Sequence, residues 1–334
     1  MGIKGLTKII NKESPESIQT EQLYKLSGKR VAIDSSLFIY KYLMNVRYNG
    51  KSLETKDSKC TSHISGIFYK TILYLSLNIT PIYIFDGKPP VEKNELIQDR
   101  KNKASKAKNE IKLVNSPEEK LKYEKQSIRV NKGHIDDIKK LLDLMGVEYL
   151  HMDGEAEAIA SELCRINYVD YVVTEDMDTM AFGCPKLIRT CLDKSIRRND
   201  FVSIIDLSKI IGDLKLTNEQ FIELCVLCGC DYCPNIPRIG QVKALYIINN
   251  FPSVKDFLNS KHTYTVPENY LERFTKAKEL FTMYHDNLNP LELNFVKKEQ
   301  NIQELTNYLV KDCEISINRV QNSIKKLHNN YSNV

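Results

Sequence analysis

Val31-Ala32-Ile33-Asp34 is a short apolar run closed by a carboxylate. With Arg30 ahead of it, the run predicts a buried strand at 30–33 that delivers Asp34 to its carboxyl end. The layout recurs at Ile82-Tyr83-Ile84-Phe85-Asp86, and again at Tyr171-Val172-Val173-Thr174, which leads into Asp176 and Asp178. Between these runs lie helical patterns at about 36–47, 61–77, 133–145 and 155–166. Further strands are predicted near 147–150 and 186–190. Strand and helix alternating in this way predict an α/β fold, a mostly parallel sheet with helices on its faces. From Thr217 the chain turns helical. Thr217 and Gln220 have the spacing of a capping box, and the stretch to about Phe257 reads as helix, tight turn, helix.

Two segments fit poorly in a compact core. Residues 49–60 are polar and turn-like. Residues 91–132 carry twelve Lys or Arg against seven acids, with Ser116-Pro117 as a break between two helical halves. An excursion of that length from a sheet is functional or disordered more often than structural. Taken alone, its charge also suits a solvated helix pair. The end of the chain after about Leu327 is expected to fray.

The whole chain of 334 residues has 42% hydrophobic and 27% charged residues and a net charge of +5, ordinary for a soluble, well-cored protein. No apolar run approaches the length of a membrane span. The amino terminus lacks the layout of a signal peptide, so an intracellular protein is expected. Its nine cysteines therefore read as thiols rather than a disulfide framework. Cys225, Cys228, Cys230 and Cys233 form C-x2-C-x-C-x2-C, which admits a zinc or iron–sulfur reading. A single residue between the inner pair suits such a site badly. On an amphipathic helix the same cysteines serve as small buried hydrophobes.

In open α/β sheets ligands collect beyond the carboxyl ends of the strands. Asp34, Asp86, Asp176 and Asp178 are all placed there. Glu155 and Glu157 open the helix after a fourth strand, where the helix dipole tolerates anions. Its apolar face would be Ala156, Ile159, Ala160 and Leu163, leaving both glutamates off the core side. Residues i and i+2 do not share a helix face, so both serve one site only if Glu155 lies at or before the cap. Asp231 follows the capped helix and could complete the set. One acid at a strand end is an ordinary turn or cap residue. Several together repel unless a cation neutralises them. An oxygen-only set favours Mg2+, with Mn2+ as its substitute, over Zn2+. Such a site serves phosphodiester hydrolysis with two cations. No phosphate-binding loop, dinucleotide fingerprint or H-E-x-x-H motif competes.

With these residues in hand, the sequence closely resembles the flap endonuclease branch of the xeroderma-pigmentosum-G-type 5′ nucleases. The match runs from Met1-Gly2-Ile3-Lys4-Gly5-Leu6 through Phe85-Asp86-Gly87-Lys88-Pro89-Pro90, Gly154-Glu155-Ala156-Glu157-Ala158 and Thr174-Glu175-Asp176-Met177-Asp178. It continues through Cys228-Gly229-Cys230-Asp231-Tyr232-Cys233 and Val266-Pro267-Glu268-Asn269 to about Lys326. The resemblance implies a PIN-like nuclease body with a nuclease region at 1–90 and an arch over 91–132. A second nuclease region at 133–215 would be followed by a helix–two-turn–helix module at 216–260, a helical region packed on the core at 261–327 and a frayed tail at 328–334. It implies a two-metal site of Asp34, Asp86, Glu155, Glu157, Asp176, Asp178 and Asp231. Lys93 and Arg100 match the basic pair on the scissile phosphate. Tyr40 matches an aromatic that stacks on the unpaired base, against the alternative of a core tyrosine. Gly2 matches a glycine near the active site. Branched DNA with a 5′ flap is the implied partner. Contacts are implied at Arg47, Lys70, Lys103, Arg129, Lys132, Arg238, Gly240 and Lys243, with a K+ ion at the hairpin Ile236-Pro237-Arg238-Ile239-Gly240.

The chain departs from that pattern in places. Arg238 stands where the family commonly has glycine, Cys230 where it has serine, and Lys70 where an arginine contacts the 3′ flap. The family's C-terminal sliding-clamp box is missing, so docking on the clamp by that route is not expected. A monomer is expected, in the nucleus if the source is eukaryotic or otherwise at a viral replication site. The competing readings are a 5′→3′ exonuclease or gap or bubble nuclease of the same superfamily, a silent DNA-junction binder, and an RNA-cutting enzyme of the wider strand-end-carboxylate group.

Overall fold

The computed structural model describes residues 2–48, 51–193, 195–196, 200–285 and 288–331, the side chains of 328–331 excepted. The expected frayed tail lies outside the described side chains. Among the described residues nine strands are formed: β1 Ile18–Gln22, β2 Arg30–Asp34, β3 Arg47–Tyr48, β4 Lys51–Ser52, β5 Thr80–Phe85, β6 Tyr149–His151, β7 Tyr171–Val173, β8 Lys186–Thr190 and β9 Phe201–Asp206. The chain divides into two compact units, each built from separate stretches. The first comprises Met1–Lys25, Pro90–Lys93 and Glu157–Glu292; the second comprises Leu26–Pro89, Asn94–Ala156 and Leu293–Val334.

In the second unit β2, β5 and β6 pair in parallel, with Asp34 opposite Ile84 and Phe85 opposite His151. Val31–Ile33 and Ile82–Phe85 are buried without interruption, as a parallel sheet covered on both faces requires. Parallel direction is what brings Asp34, Asp86 and the turn before Glu155 to the same edge. Helices Ser35–Asn45 and Ser62–Ser76 pack on each other and on β5. They approach closely because Gly66 lies against the Tyr42 ring, where any Cβ would overlap ring atoms. The polar stretch after the first helix forms a small hairpin, with Arg47 opposite Ser52 and an isolated bridge from Glu54 to Cys60.

Residues 94–127 also belong to this unit. They form helices Asn94–Glu110 and Pro117–Ser127 lying side by side, with Pro117 in the first turn of the second. Only Ala104 and Ala107 of the first are buried, and none of the second. The lysines therefore cover an exposed surface, as the charge pattern predicts.

In the first unit β7 and β8 are parallel, whereas β8–β9 and β9–β1 are antiparallel. The small hairpin aside, the pairing is mostly parallel, with an antiparallel edge that the sequence pattern does not announce. β1 is Ile-Gln-Thr-Glu-Gln, too polar to read as a strand; it forms because its backbone pairs along β9. Helix Asn218–Cys228 is capped as expected: Gln220 N donates to Thr217 Oγ1 at 3.1 Å, and Thr217 N donates to Gln220 Oε1 at 2.9 Å. Phe182, Tyr232 and Phe281 meet edge to face beneath it. A tight turn leads to helix Gln241–Asn250, with Ile239 N donating to Ile236 O at 3.0 Å.

Candidate metal centre

Asp176 sits on the loop that leaves β7, and Asp178 opens the short helix Asp178–Ala181 that follows. Asp176 N donates to Thr174 Oγ1 and Asp178 N donates to Asp176 Oδ1, each at 3.1 Å. Glu157 lies in the first turn of helix Ala156–Arg165. Oxygens of Glu157, Asp176 and Asp178 fall within 4.8 Å of one another. Glu157 and Asp178 are buried, the latter completely. Three carboxylates so close, with two out of water, repel strongly unless positive charge joins them. An all-oxygen donor set of this kind suits a hard divalent cation.

One positive charge is already present. Lys93 is buried, and its Nζ lies 3.7 Å from both Glu157 Oε1 and Asp231 Oδ2. The ammonium also sits 5.4 Å over the Tyr232 ring, which favours a cation. Asp231 is thereby tied to the same cluster. Its turn is held from the amino terminus, where Lys4 N donates to Gly229 O at 3.1 Å and Lys4 Nζ donates to Asn235 Oδ1 at 2.6 Å. Gly2 lies against the carboxylates with a φ of +80°. A Cβ there would overlap Asp176 Oδ1 and come within 2.7 Å of Asp178 N. Both the conformation and the space require glycine.

The second unit carries the other three acids. Asp34 is buried and caps helix Ser35–Asn45, its Oδ1 accepting from Leu37 N at 3.1 Å. Asp86 Oδ1 accepts from Ala156 N at 2.8 Å, which draws the end of β5 to the start of the next helix. The two turns are pinned further by Gly87 N donating to Gly154 O at 3.0 Å. Gly87 itself lies against Met152 O and Asp153 Cα, leaving no room for a side chain. The helix begins at Ala156, so Glu155 precedes it. That meets the condition under which i and i+2 acids can act together. The expectation that both glutamates lie off the core side is corrected: Glu155 is 6% and Glu157 8% exposed. The helix is covered all round, so its apolar stripe does not mark its only buried face.

The remaining predicted residues are more scattered. Tyr40 is half-buried and outside the core, against the core-tyrosine alternative. Arg100 and Lys103 are exposed on helix Asn94–Glu110, and Arg129 and Lys132 are exposed just beyond the helix pair. Arg47 is held by Glu124 at 3.3 Å and donates to Met44 O at 3.0 Å. Lys70 sits over the rings of Phe38 and Tyr74 at 4.5 and 4.6 Å. Lys243 is exposed and 5.0 Å from the Tyr264 ring centre. Gly240 is exposed with open space around its Cα. Arg238 is exposed at a φ of +68°, a glycine conformation occupied by an arginine.

The cysteine cluster is buried except for half-buried Cys230. Burial pushes the Cys228 and Cys233 thiols up to about 12 and raises Cys225 and Cys230 as well. Their burial suits small packed hydrophobes. Two polar clusters had no signal in the sequence. One joins Glu175 to Arg189 at 3.4 Å; the other joins buried His63 to Asp137 at 3.5 Å. Both are tertiary pairs without periodicity.

Two family models match the chain, the XPG N-terminal domain over residues 1–107 and the XPG I-region over 146–231. The seven candidate acids, Asp34, Asp86, Glu155, Glu157, Asp176, Asp178 and Asp231, all fall inside these two spans. The chain is thus an XPG-type nuclease. Flap endonuclease 1 of Candida albicans (strain WO-1) is 38% identical over 98% of this chain and 89% of its own length. Flap endonuclease 1-A of Sorghum bicolor is 36% identical over 98% of this chain and 86% of its own. The solved flap endonuclease-1 of Methanococcus jannaschii superposes with a TM-score of 0.71 at 27% identity, covering 95% of this chain and 96% of that one. The catalytic core of Rad2 in complex with DNA substrate shares the fold, with a TM-score of 0.72 at 22% identity over 98% and 100% of the two chains. The chain belongs to the flap endonuclease family, whose members are metal-dependent nucleases.

Proposed function

We propose that this chain hydrolyses a phosphodiester near the base of a displaced 5′ single strand, as a structure-specific nuclease of DNA replication and repair. The observation that carries this reading is the crowding of Glu157, Asp176 and Asp178 within 4.8 Å of one another beside the buried Lys93 ammonium. Family membership supplies the substrate class.

Asp34, Asp86 and Glu155 would join Glu157, Asp176, Asp178 and Asp231 in holding two Mg2+ ions, for which Mn2+ can substitute. Glu155 and Glu157 are separated on the chain by Ala156 alone, which supports a shared role for the two sets. Bound there, such ions supply Lewis-acid charge for activating water and for easing departure of the 3′-oxygen. The carboxylates fix where that charge stands. The Lys93 ammonium, now on Glu157 and Asp231, is a donor for the scissile phosphate, and Arg100 is its proposed companion. Positive groups aimed at the phosphate act where negative charge grows during displacement. Tyr40, partly exposed, offers a ring on which an unstacked base can rest.

Lys103, Arg129 and Lys132 are proposed to contact the flap strand, and Arg47 and Lys70 the junction. Arg238, Gly240 and Lys243 would meet the uncleaved duplex, with K+ at the hairpin. Contacts of this sort set register without reading bases. Among the described residues no helix is long and apolar enough to cross a membrane. A monomer working in the nucleus of a eukaryotic source completes the proposal.

The test is cleavage of labelled DNA with Mg2+, comparing a double flap with a nicked duplex, a bubble and a single strand. A chelator-sensitive cut one nucleotide inside the downstream duplex, strongest on the double flap, is the expected result. A ladder of short 5′ products from the nicked duplex would move the activity to the exonuclease type. Absence of any metal-dependent cleavage would overturn the assignment.

A further inference from the structure

The loop from Thr174 to Asp178 has an electrostatic problem. It holds two carboxylates next to each other and to Glu157, and their repulsion pushes the loop open. The hydrogen bonds inside the loop fix its local shape. They do not anchor it to the rest of the fold.

Glu175 and Arg189 supply that anchor. Glu175 lies between Thr174 and Asp176. Its Oε1 accepts from Thr190 N at 3.2 Å and from the Thr190 hydroxyl, and its Oε2 lies 3.4 Å from Arg189 Nε. Arg189 and Thr190 close β8, the strand beside β7, and Thr174 N donates to Ile188 O at 3.3 Å just where the loop departs. The guanidinium then reaches two further partners. Its NH1 donates to Met177 Sδ at 3.2 Å, and Met177 separates Asp176 from Asp178. The same nitrogen donates to Thr7 Oγ1 at 3.4 Å, on the helix that follows Gly2. The Arg189 and Glu175 side chains are only 13% and 22% exposed. One side chain therefore touches the residue before the acids, the residue between them and the segment whose glycine backbone lies against them.

We infer that Glu175 and Arg189 are positioning residues, a partly buried ion pair that keeps the Asp176–Asp178 loop and the Gly2 segment in register for cation binding. Neither touches the reacting atoms. The inference rests on the metal reading given above. It adds to that reading the groups that aim the ligands. Partners behind the ligands commonly control metal affinity by about 10- to 100-fold. Arginine suits the role because its planar fork holds several donors in a fixed geometry, whereas lysine offers a single flexible point charge.

The test uses the full chain and a readout other than turnover. Thermal unfolding is followed while Mn2+ is titrated, and the half-saturating Mn2+ concentration is taken from the rise in Tm. Wild type, Arg189→Met, Arg189→Lys, Glu175→Gln and Asp178→Ala are compared, and Mn2+ dependence of cleavage is measured beside them. The expected result is a rise of about tenfold or more in half-saturating Mn2+ for Arg189→Met. Glu175→Gln, which keeps an oxygen for Thr190, should show a smaller rise. Arg189→Lys should recover part of the loss. A purely structural pair would lower the cation-free Tm and leave the half-saturating concentration where it was; that outcome overturns the inference. Should Arg189→Met not fold, Glu175→Gln and Arg189→Lys decide by the same criterion. A wild type that responds while Asp178→Ala does not would uphold the metal reading independently. A wild type without any Mn2+ response would remove that reading and the inference together.

Discussion

Arg238→Gly should make the protein more stable and its hold on DNA weaker. The turn Ile236-Pro237-Arg238-Ile239 closes with Ile239 N donating to Ile236 O at 3.0 Å, and Arg238 has a φ of +68°. With Pro at the second position and positive φ at the third, it has the features of a type II turn, where glycine belongs. An L-residue with a Cβ in this conformation costs about 1–2 kcal/mol. Glycine recovers that cost but loosens the unfolded chain by about 0.4–1 kcal/mol. The net gain is about 0.5–1 kcal/mol, or about 1–2 °C in Tm for a chain of this size. Little native contact is lost, because the exposed Arg238 side chain makes no hydrogen bond or ion pair with the described residues. What disappears is a charge. If it meets a phosphate, the slope of log K against log salt should fall by about 0.9. Urea unfolding gives the first quantity, and fluorescence anisotropy of a labelled flap DNA across a salt series gives the second. Arg238→Ala separates them: it keeps the strain and removes the charge, so its stability should match wild type while its salt slope drops. A less stable Arg238→Gly would refute the strain argument, and an unchanged salt slope would refute the phosphate contact.

Asp178→Ala should reduce Mg2+-dependent cleavage by at least about a hundredfold while flap affinity in the absence of Mg2+ stays within about threefold, measured by anisotropy; retained cutting would sink the metal assignment. Gly2→Ala would drive a Cβ into Asp176 and force a strained φ, so cleavage should fall by about a hundredfold with near-normal unfolding, and wild-type turnover would show that the segment moves aside. The buried His63–Asp137 pair predicts a pH effect. Burial works against both charges, but their contact, with Cys60 beside His63 and Lys59 beside Asp137, raises His63 above its ordinary 6.5 and lowers Asp137 below 3.8. The Asp137 contribution is thus present above about pH 4 and lost on acidification, and the His63 contribution is present below about pH 6.5 and lost as pH rises through its folded value. Lys59, 2.7 Å from Asp137, and His134, whose ring is 4.8 Å from that of His63 and whose pKa burial lowers, are the other titratable groups beside the pair. Urea midpoints should therefore fall between about pH 6 and 8 in wild type and flatten in Asp137→Asn; parallel profiles would show that the pair is not charged.

The parts of the site that were legible in the sequence share a physical origin. Val31–Ile33 and Ile82–Phe85 read as strands because a doubly covered strand must be apolar throughout, and an acid directly after such a run can only emerge at its end. The capping box at Thr217 was legible because both of its hydrogen bonds lie within four residues. Where information is not local, the pattern falls silent. β1 is polar because it needs only backbone pairing at the edge, and the strand partner that stabilises it lies some 180 residues away in Phe201–Asp206. Glu155 and Glu157 show the limit most clearly. Amphipathicity assumes that polar residues mark the wet face of a helix, and here both acids are buried, so the assumption fails. The Glu175–Arg189 pair escapes periodicity for the same reason. A group that aims a ligand is defined by what it touches across the fold, and its sequence neighbours carry no trace of the contact.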